Sequence, residues 1–243
     1  NINTPIPPYR SNIISKYIYV SDYVRNVFGQ NQDNDKGITI YPGSNFELFN
    51  RGPNEDAPED CVGMVYRLER DKLNEDSIKP FIRIAQLRPR TRILIVGGGS
   101  LLDVYKAAAK EAGVIDNFEF TGYVDYDVLP DLYRRMSLFI APVWKESFGQ
   151  VSPFAMSMKV PVIGYDIGAI PEIIGTSDLV APHDSPDKLA QIAIRLLDSP
   201  AERVALGANQ QKRAQENFSV EAMITNYAEV YSEVIDNLSK DQM

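Results

Sequence analysis

Cysteine, histidine and tryptophan each occur once in 243 residues, as Cys61, His183 and Trp144. A single cysteine leaves no intrachain disulfide, and its place in a strand-like run suits a reducing, cytoplasmic setting. A single histidine, in the turn-like APHDSPD, excludes catalytic histidine pairs and His-rich metal sites. No apolar run reaches the length of a membrane span and no secretory h-region is visible, which leaves open only attachment at the periphery of a membrane. Basic residues are also short: 25 Lys and Arg stand against 33 Asp and Glu, for a net charge of −8. That balance argues against nucleic acid or an anionic bilayer as a general partner. An anionic small ligand must then be held by locally placed cations and helix ends. The chain opens on Asn1 rather than Met, as a processed or shortened chain would.

What is present is the composition of a globular chain, 44% hydrophobic and 24% charged, long enough for one or two domains with a sizeable core. Residues 1–16 are polar and Pro-rich (TPIPPYR) and suit a connector. A short strand at Tyr17–Val20, a helix capped by Ser21 or Asp22, a polar loop and a second strand, ITIY, follow, ending in the turn PGSN. The charged, Pro-containing RGPNEDAPED suits an interdomain linker.

From Cys61 onward strands and helices alternate. Strands are expected at CVGMVYRL, RILIV, FEFTGYV, SLFIAPVW and VPVIGY. Helices are expected at Asp76–Leu87, Leu101–Ala112, Leu129–Met136, Val151–Met158 and Ile170–Ile174. Ser185 then Pro186 is a cap followed by proline at the first position, opening a helix through LAQIAIRLL, with another over Ala201–Asn217. A last helix from Ser219 carries one apolar stripe: Val220, Met223, Ile224, Tyr227, Val230, Tyr231, Val234, Ile235 and Leu238. Strands separated by helices of ten or so residues imply an α/β fold with a doubly wound, Rossmann-like parallel sheet.

The stretch Glu146–Phe154, ESFGQVSPF, carries the strongest chemical signal. It joins a buried strand to a helix through Gly149, the order that leaves backbone N–H groups free at a helix start, where anions bind. Gly149 has no Cβ, which lets a phosphate approach the backbone closely. Glu146 falls at the sheet's C-terminal edge, where open α/β folds hold ligands; an ordinary strand–turn–helix with a surface glutamate has the same pattern. In VYRLERDK, Arg67 ends a strand and Lys72 follows in the loop, a pair of cations suited to clamping a diphosphate. Solvated surface charge beside Glu69 and Asp71 is the plainer alternative. VGGGS after RILIV, with Gly98 at its centre, opens like a dinucleotide-binding turn. It lacks the third glycine and the acidic ribose partner, so close helix–strand packing fits better than NAD. The Asp-x-Asp of Asp125–Asp127 matches a divalent-ion motif but precedes a helix, where aspartate is a favoured N-cap, and no metal site is assigned to it. Trp144 and the tyrosines suit core or rim positions.

The ordered set VYRLERDK, RILIVGGGS, FTGYVDYDVLPDLYRRMSLFIAP, ESFGQVSPFAMSMKVPVIGYDIGAIPEII and LVAPHDSPDKLA resembles glycosyltransferase family 4. The resemblance covers roughly residues 38–240, the nucleotide-sugar-binding C-terminal half of a retaining GT-B fold. It implies transfer of a glycosyl group from an NDP-sugar to an acceptor hydroxyl, with no further cofactor and no metal. Arg67 and Lys72 match the family's diphosphate-holding cations. Glu146, Phe148 and Gly149 match its Glu-x-Phe-Gly segment, where the glutamate meets donor-sugar hydroxyls and the backbone at Gln150 and Val151 meets sugar and phosphate. Gly98, Tyr123 and Val124 fall where the donor and its base are bound, and Gly168, Pro171 and Glu172 match a Gly-x-x-Pro-Glu segment. The family's second glutamate, which holds ribose hydroxyls, is Phe154 here; its usual glycines are Tyr66 and Leu73, and the small residue after the central helix is Lys159. The resemblance further implies three parts: a remnant of the acceptor-side domain with linker (1–55), the donor-binding domain (56–218), and a C-terminal crossing helix (219–243). The remaining acceptor-side domain or a partner chain would supply the acceptor site and a catalytic histidine. A non-catalytic nucleotide-sugar-binding subunit and an NAD-linked oxidoreductase are the alternatives.

Overall fold

The computed structural model of the chain describes residues 14–29, 36–50 and 60–240. The expected linker Arg51–Asp60, apart from Asp60, and most of the leading connector lie outside the described residues. Two strands, β1 (Tyr17–Tyr19) and β2 (Gly37–Thr39), pair in parallel around helix α1 (Asp22–Phe28) as a small unit. Ser21 caps α1 as expected, its hydroxyl accepting from Val24 N at 3.1 Å.

The main sheet has six parallel strands: β3 (Cys61–Val65), β4 (Arg92–Val96), β5 (Phe118–Gly122), β6 (Leu138–Ala141), β7 (Val162–Tyr165) and β8 (Val180–Ala181). Their spatial order is β5-β4-β3-β6-β7-β8. The expected strands CVGMVYRL and SLFIAPVW are shorter, because their last residues leave the ladder to build loops at the sheet's edge. The two-residue β8, which carries no alternating pattern, was not expected as a strand. Every residue of β3, β6 and β7 is buried. Because successive side chains point to opposite faces, this means that helices cover the sheet on both sides.

Helices α2 (Lys79–Leu87), α3 (Leu102–Glu111), α4 (Leu129–Arg134), α5 (Val151–Ser157), α6 (Ile170–Ile174), α7 (Pro186–Asp198) and α8 (Pro200–Phe218) connect or cover these strands. α2 packs on α7, and α5 on α8. The helix expected from Asp76 begins as a 3-10 turn over Glu75–Ile78. Asp125 and Ser185 precede helical turns but make no side-chain capping bond, contrary to expectation. At Asp125 the turn is instead closed by the backbone, Val128 N donating to Asp125 O at 3.1 Å.

The long α9 (Val220–Lys240) turns away from the main sheet and runs beside the small unit. Gly43 N donates to Met223 Sδ, and Lys16 pairs with Glu233 at 2.8 Å. Its apolar stripe divides: Val230 is buried, whereas Ile224, Tyr231 and Ile235 are about three-fifths exposed (58%, 62% and 61%).

The end of α5 is stapled by two bonds, Val160 N to Ala155 O and Lys159 N to Met156 O, both 3.0 Å. This is the Schellman pattern, whose C′ residue must turn left-handed. That residue is Lys159, at φ 56°, where a side chain costs roughly 1–2 kcal/mol against glycine. Lys159→Gly is expected to raise stability by about 0.5–1 kcal/mol after the greater freedom of unfolded glycine is counted. A urea midpoint at or below that of the parent chain would contradict this.

Candidate functional site

The strand order reverses direction between β3 and β6, so the loops after these two strands leave in different senses and open a crevice between them. Such switch points are where open α/β sheets hold ligands. The β3 loop carries Arg67 and Lys72, and the β6 loop carries Glu146.

The structure brings Lys72 and Glu146 together. Lys72 Nζ lies 2.7 and 2.9 Å from the two Glu146 carboxylate oxygens. The Glu146 side chain is fully buried, and that of Lys72 is 39% exposed. Ser147 N, at 3.1 Å, also donates to Glu146 Oε1. A buried carboxylate is tolerable only with such partners.

Two glycines set this geometry. Gly168, at φ 57°, packs on the Glu146 backbone so closely that an added Cβ would fall 1.9 Å from its carbonyl oxygen. The next residue, Ala169, donates its N–H to the same oxygen at 3.1 Å. Gly149, at φ 82°, leaves 3.0 Å between its missing Cβ and Glu146 Cγ. The Gly-x-x-Pro-Glu and Glu-x-x-Gly segments are thus two halves of one clamp on Glu146.

Arg67 and Lys72 line one pocket of about 200 Å³ with Tyr66, Asp71, Gly149, Gln150 and Val151. Arg67 is 71% exposed and pairs with Asp71 at 2.7 Å, so a ligand phosphate would compete with Asp71 for it. Asp71 was not foreseen as part of the site, although its i+4 spacing from Arg67 signals the pairing. Tyr66, standing where the resembled family has glycine, is a second unforeseen member. Its ring is buried against Phe139. Its hydroxyl lies beside Ser152 Oγ, and neither reaches a hydrogen bond of good geometry. Burial, and then the nearby Glu146 charge, push the Tyr66 phenol well above its ordinary value, so it stays protonated.

The remaining expected residues divide. Tyr123 is 72% exposed and lies over Gly98, where an added Cβ would meet its ring at 2.6 Å. Both stand at the ends of β4 and β5, across β3 from Glu146. Val124 is half-buried against the core. The Phe148 ring is turned inward between Tyr41 (5.9 Å, stacked) and Phe218 (5.6 Å, edge-on), so what it offers a ligand is backbone. Gln150 reaches Gly43 O at 3.3 Å. Phe154 stacks on Phe49 at 4.1 Å, with Phe46 and Tyr126 edge-on. The segment 46–49 therefore covers the face where a carboxylate was expected to meet ribose. Glu172 lies elsewhere: it accepts from Asp22 N, Tyr23 N and Tyr41 Oη, tying α6 to α1 and to the segment after β2.

The glycine-rich turn after β4 is occupied from within. Glu69 accepts from Ser100 N at 3.1 Å and from Ser100 Oγ at 2.6 Å, and these bonds hold its carboxyl below the usual range. A dinucleotide pyrophosphate at this helix start would have to displace that carboxylate. Among the described residues, no group of three or more His, Cys, Asp or Glu is placed to hold a metal ion.

The family described as "Glycosyl transferases group 1" matches residues 45–213. The chain belongs to this family. As a group 1 member it is 29% identical over 151 residues to the 2-deoxystreptamine glucosyltransferase of Streptomyces kanamyceticus, covering 61% of this chain and 38% of that one. Two solved structures share its fold. Anabaena HepE in complex with UDP and glucose has a TM-score of 0.76 at 21% identity, over 90% of this chain and 63% of that one. The C-terminal domain of a group 1 protein from Francisella tularensis has 0.64 at 22%, over 73% of this chain and all of that one. The fold is the C-terminal half of the GT-B glycosyltransferase fold. The chain spans 38–53% of the length of the first three curated relatives.

Removing one partner of the central pair leaves a buried charge. A fully buried case costs some 3–5 kcal/mol, and the partial exposure of Lys72 reduces this to about 1–3 kcal/mol for Lys72→Met. Adding Glu146→Gln to that variant is expected to recover part of the loss. Strictly additive losses in a denaturant double-mutant cycle would show that the two side chains do not depend on each other.

Proposed function

We propose that the chain is the donor-binding part of a retaining, metal-independent glycosyltransferase of family 4, transferring a glycosyl group from an NDP-sugar to an acceptor hydroxyl. The observation that carries the reading is the Lys72–Glu146 pair at the switch point, with Arg67 facing the same pocket. Glu146 Oε1 accepts from Lys72, Ser147 N and Phe148 N, whereas among the described residues Lys72 is the one partner of Oε2, which is therefore better able to accept a sugar hydroxyl. Lys72 spends two donors on Glu146 and keeps a third for a phosphate oxygen. Arg67 brings a planar fork to the same diphosphate once it leaves Asp71. As the bond from the sugar's anomeric carbon to the diphosphate breaks, negative charge grows where these two cations already stand, and preorganised charge of this kind lowers the barrier. Glu146 orients the sugar and does not attack it. Tyr123, exposed over Gly98, offers a flat surface to the base.

In this reading the acceptor site belongs to a preceding acceptor-side domain, as the family resemblance implies. Closure of two domains over the donor would position the acceptor, and correct orientation is worth roughly 7–11 kcal/mol of barrier. A cytoplasmic setting fits the single buried cysteine. Among the described residues no helix is long and apolar enough to cross a membrane. The aromatic stack on Phe154 favours a second reading, a subunit that binds a nucleotide sugar without transferring it. The two readings diverge in whether this chain, joined to its acceptor domain, turns over a donor that it binds.

Both readings require the diphosphate clamp. Replacing Arg67 and Lys72 with Ala is expected to weaken binding of the nucleoside diphosphate that binds best (UDP, GDP or ADP) by about 3–6 kcal/mol, two charge-assisted hydrogen bonds. Calorimetry giving equal affinity in the double variant would refute the assignment.

A further inference from the structure

A second pocket, sharing no lining residue with the first, opens behind the β6 loop between the start of α2 and the β8–α7 turn. It encloses about 140 Å³, roughly ten times what one ordered water needs. Tyr165, the last residue of β7, lines it and is only 6% exposed. Among the described residues its hydroxyl makes no hydrogen bond, and burial, then the nearby Asp184 and Asp76, raise its pKa. The ring is buried while the hydroxyl opens into the cavity, where it is free to donate to or accept from a ligand.

The rest of the lining narrows the ligand. Asp184 and Asp76 are acceptors at the rim, the first held by His183 Nδ1 at 2.9 Å and the second by Lys79 at 2.7 Å. Lys79 is thus already neutralised and the rim is not positive, which disfavours a phosphate or nucleotide. Trp144, Pro142, Val143 and Pro186 add apolar surface. Carboxylates to accept hydroxyls, a phenol that can donate or accept, and an aromatic wall for C–H groups together match a neutral sugar ring. We propose that this pocket is a saccharide-binding subsite, distinct from the donor cleft, that takes one hexose unit.

Its position gives it a way to act on the donor site. Trp144 N donates to Lys72 O at 3.0 Å and Trp144 Nε1 to Leu73 O at 3.1 Å. A sugar that shifts Trp144 therefore shifts the backbone that carries Lys72. The inference does not depend on the donor assignment.

Trp144 is the chain's only tryptophan, so its fluorescence reports on this pocket and on the Lys72 backbone bonded to it. D-glucose, D-mannose, D-galactose and their methyl α-glycosides would each be titrated into the chain, with saturation-transfer NMR as a second readout. At least one is expected to give a saturable response. The isosteric Tyr165→Phe, and Asp184→Asn, should each weaken it about tenfold, one hydrogen bond to a buried or charged group. Excess UDP should leave the sugar's saturation-transfer signal in place. No binding by either readout, equal affinity in both variants, or competitive loss of the response with UDP would each overturn the proposal.

Discussion

Everything that makes this fold chemically interesting depends on keeping one ionised carboxylate out of water. Desolvating a carboxylate costs several kcal/mol even after the protein relaxes. Glu146 meets that cost with Lys72 from another strand's loop and with the Ser147 N–H from its own. The pair, 74 residues apart in the chain, exists only because β3 and β6 are neighbours in the sheet. The clamp of Gly168 and Gly149 then admits one backbone path around the carboxylate. A side chain at either glycine would force the β6 loop apart, so these small residues serve the charge more than the sheet.

The alternation of strands and helices was legible because fully buried parallel strands are written as unbroken apolar runs, and the covering helices keep a 3.6-residue period. Arg67, Lys72 and Glu146 were legible as a set because each follows a strand, so a parallel sheet must bring them to one edge. Other features were hidden for identifiable reasons. β8 has two residues and no periodicity to display. Phe148 sits inside the most informative motif, yet its ring belongs to the core with Tyr41 and Phe218, partners 107 and 70 residues away in the sequence. Phe154 was visible as a departure, but not the Phe49 ring that covers it. The role of Glu69 at the glycine-rich turn could not be read at all, since it depends on β3 lying beside β4.

Polar contacts join the small β1–α1–β2 unit to the main sheet, beside the Tyr41 ring packed on Phe148 and Phe218. Glu172 bonds two α1 amides and Tyr41, whose phenol is raised by burial and by Glu172 itself. Beside it, α9 presents Ile224, Tyr231 and Ile235 to solvent, three apolar residues near enough along one helix to form a band. The same helix pairs with the small unit through Lys16 and Glu233. Tyr66 places apolar bulk in the pocket between the β3 and β6 loops, and Phe154 is covered by Phe49.

The central claim is that a diphosphate belongs between Arg67 and Lys72, beside Glu146, and not at the glycine-rich turn. A crystal structure with a bound nucleoside diphosphate decides this directly. The account predicts phosphate oxygens within hydrogen-bonding distance of Lys72 Nζ and the Arg67 guanidinium, with Glu69 still on Ser100. Phosphates over Gly97–Ser100 with Glu69 displaced, and Lys72 unchanged on Glu146, would contradict it.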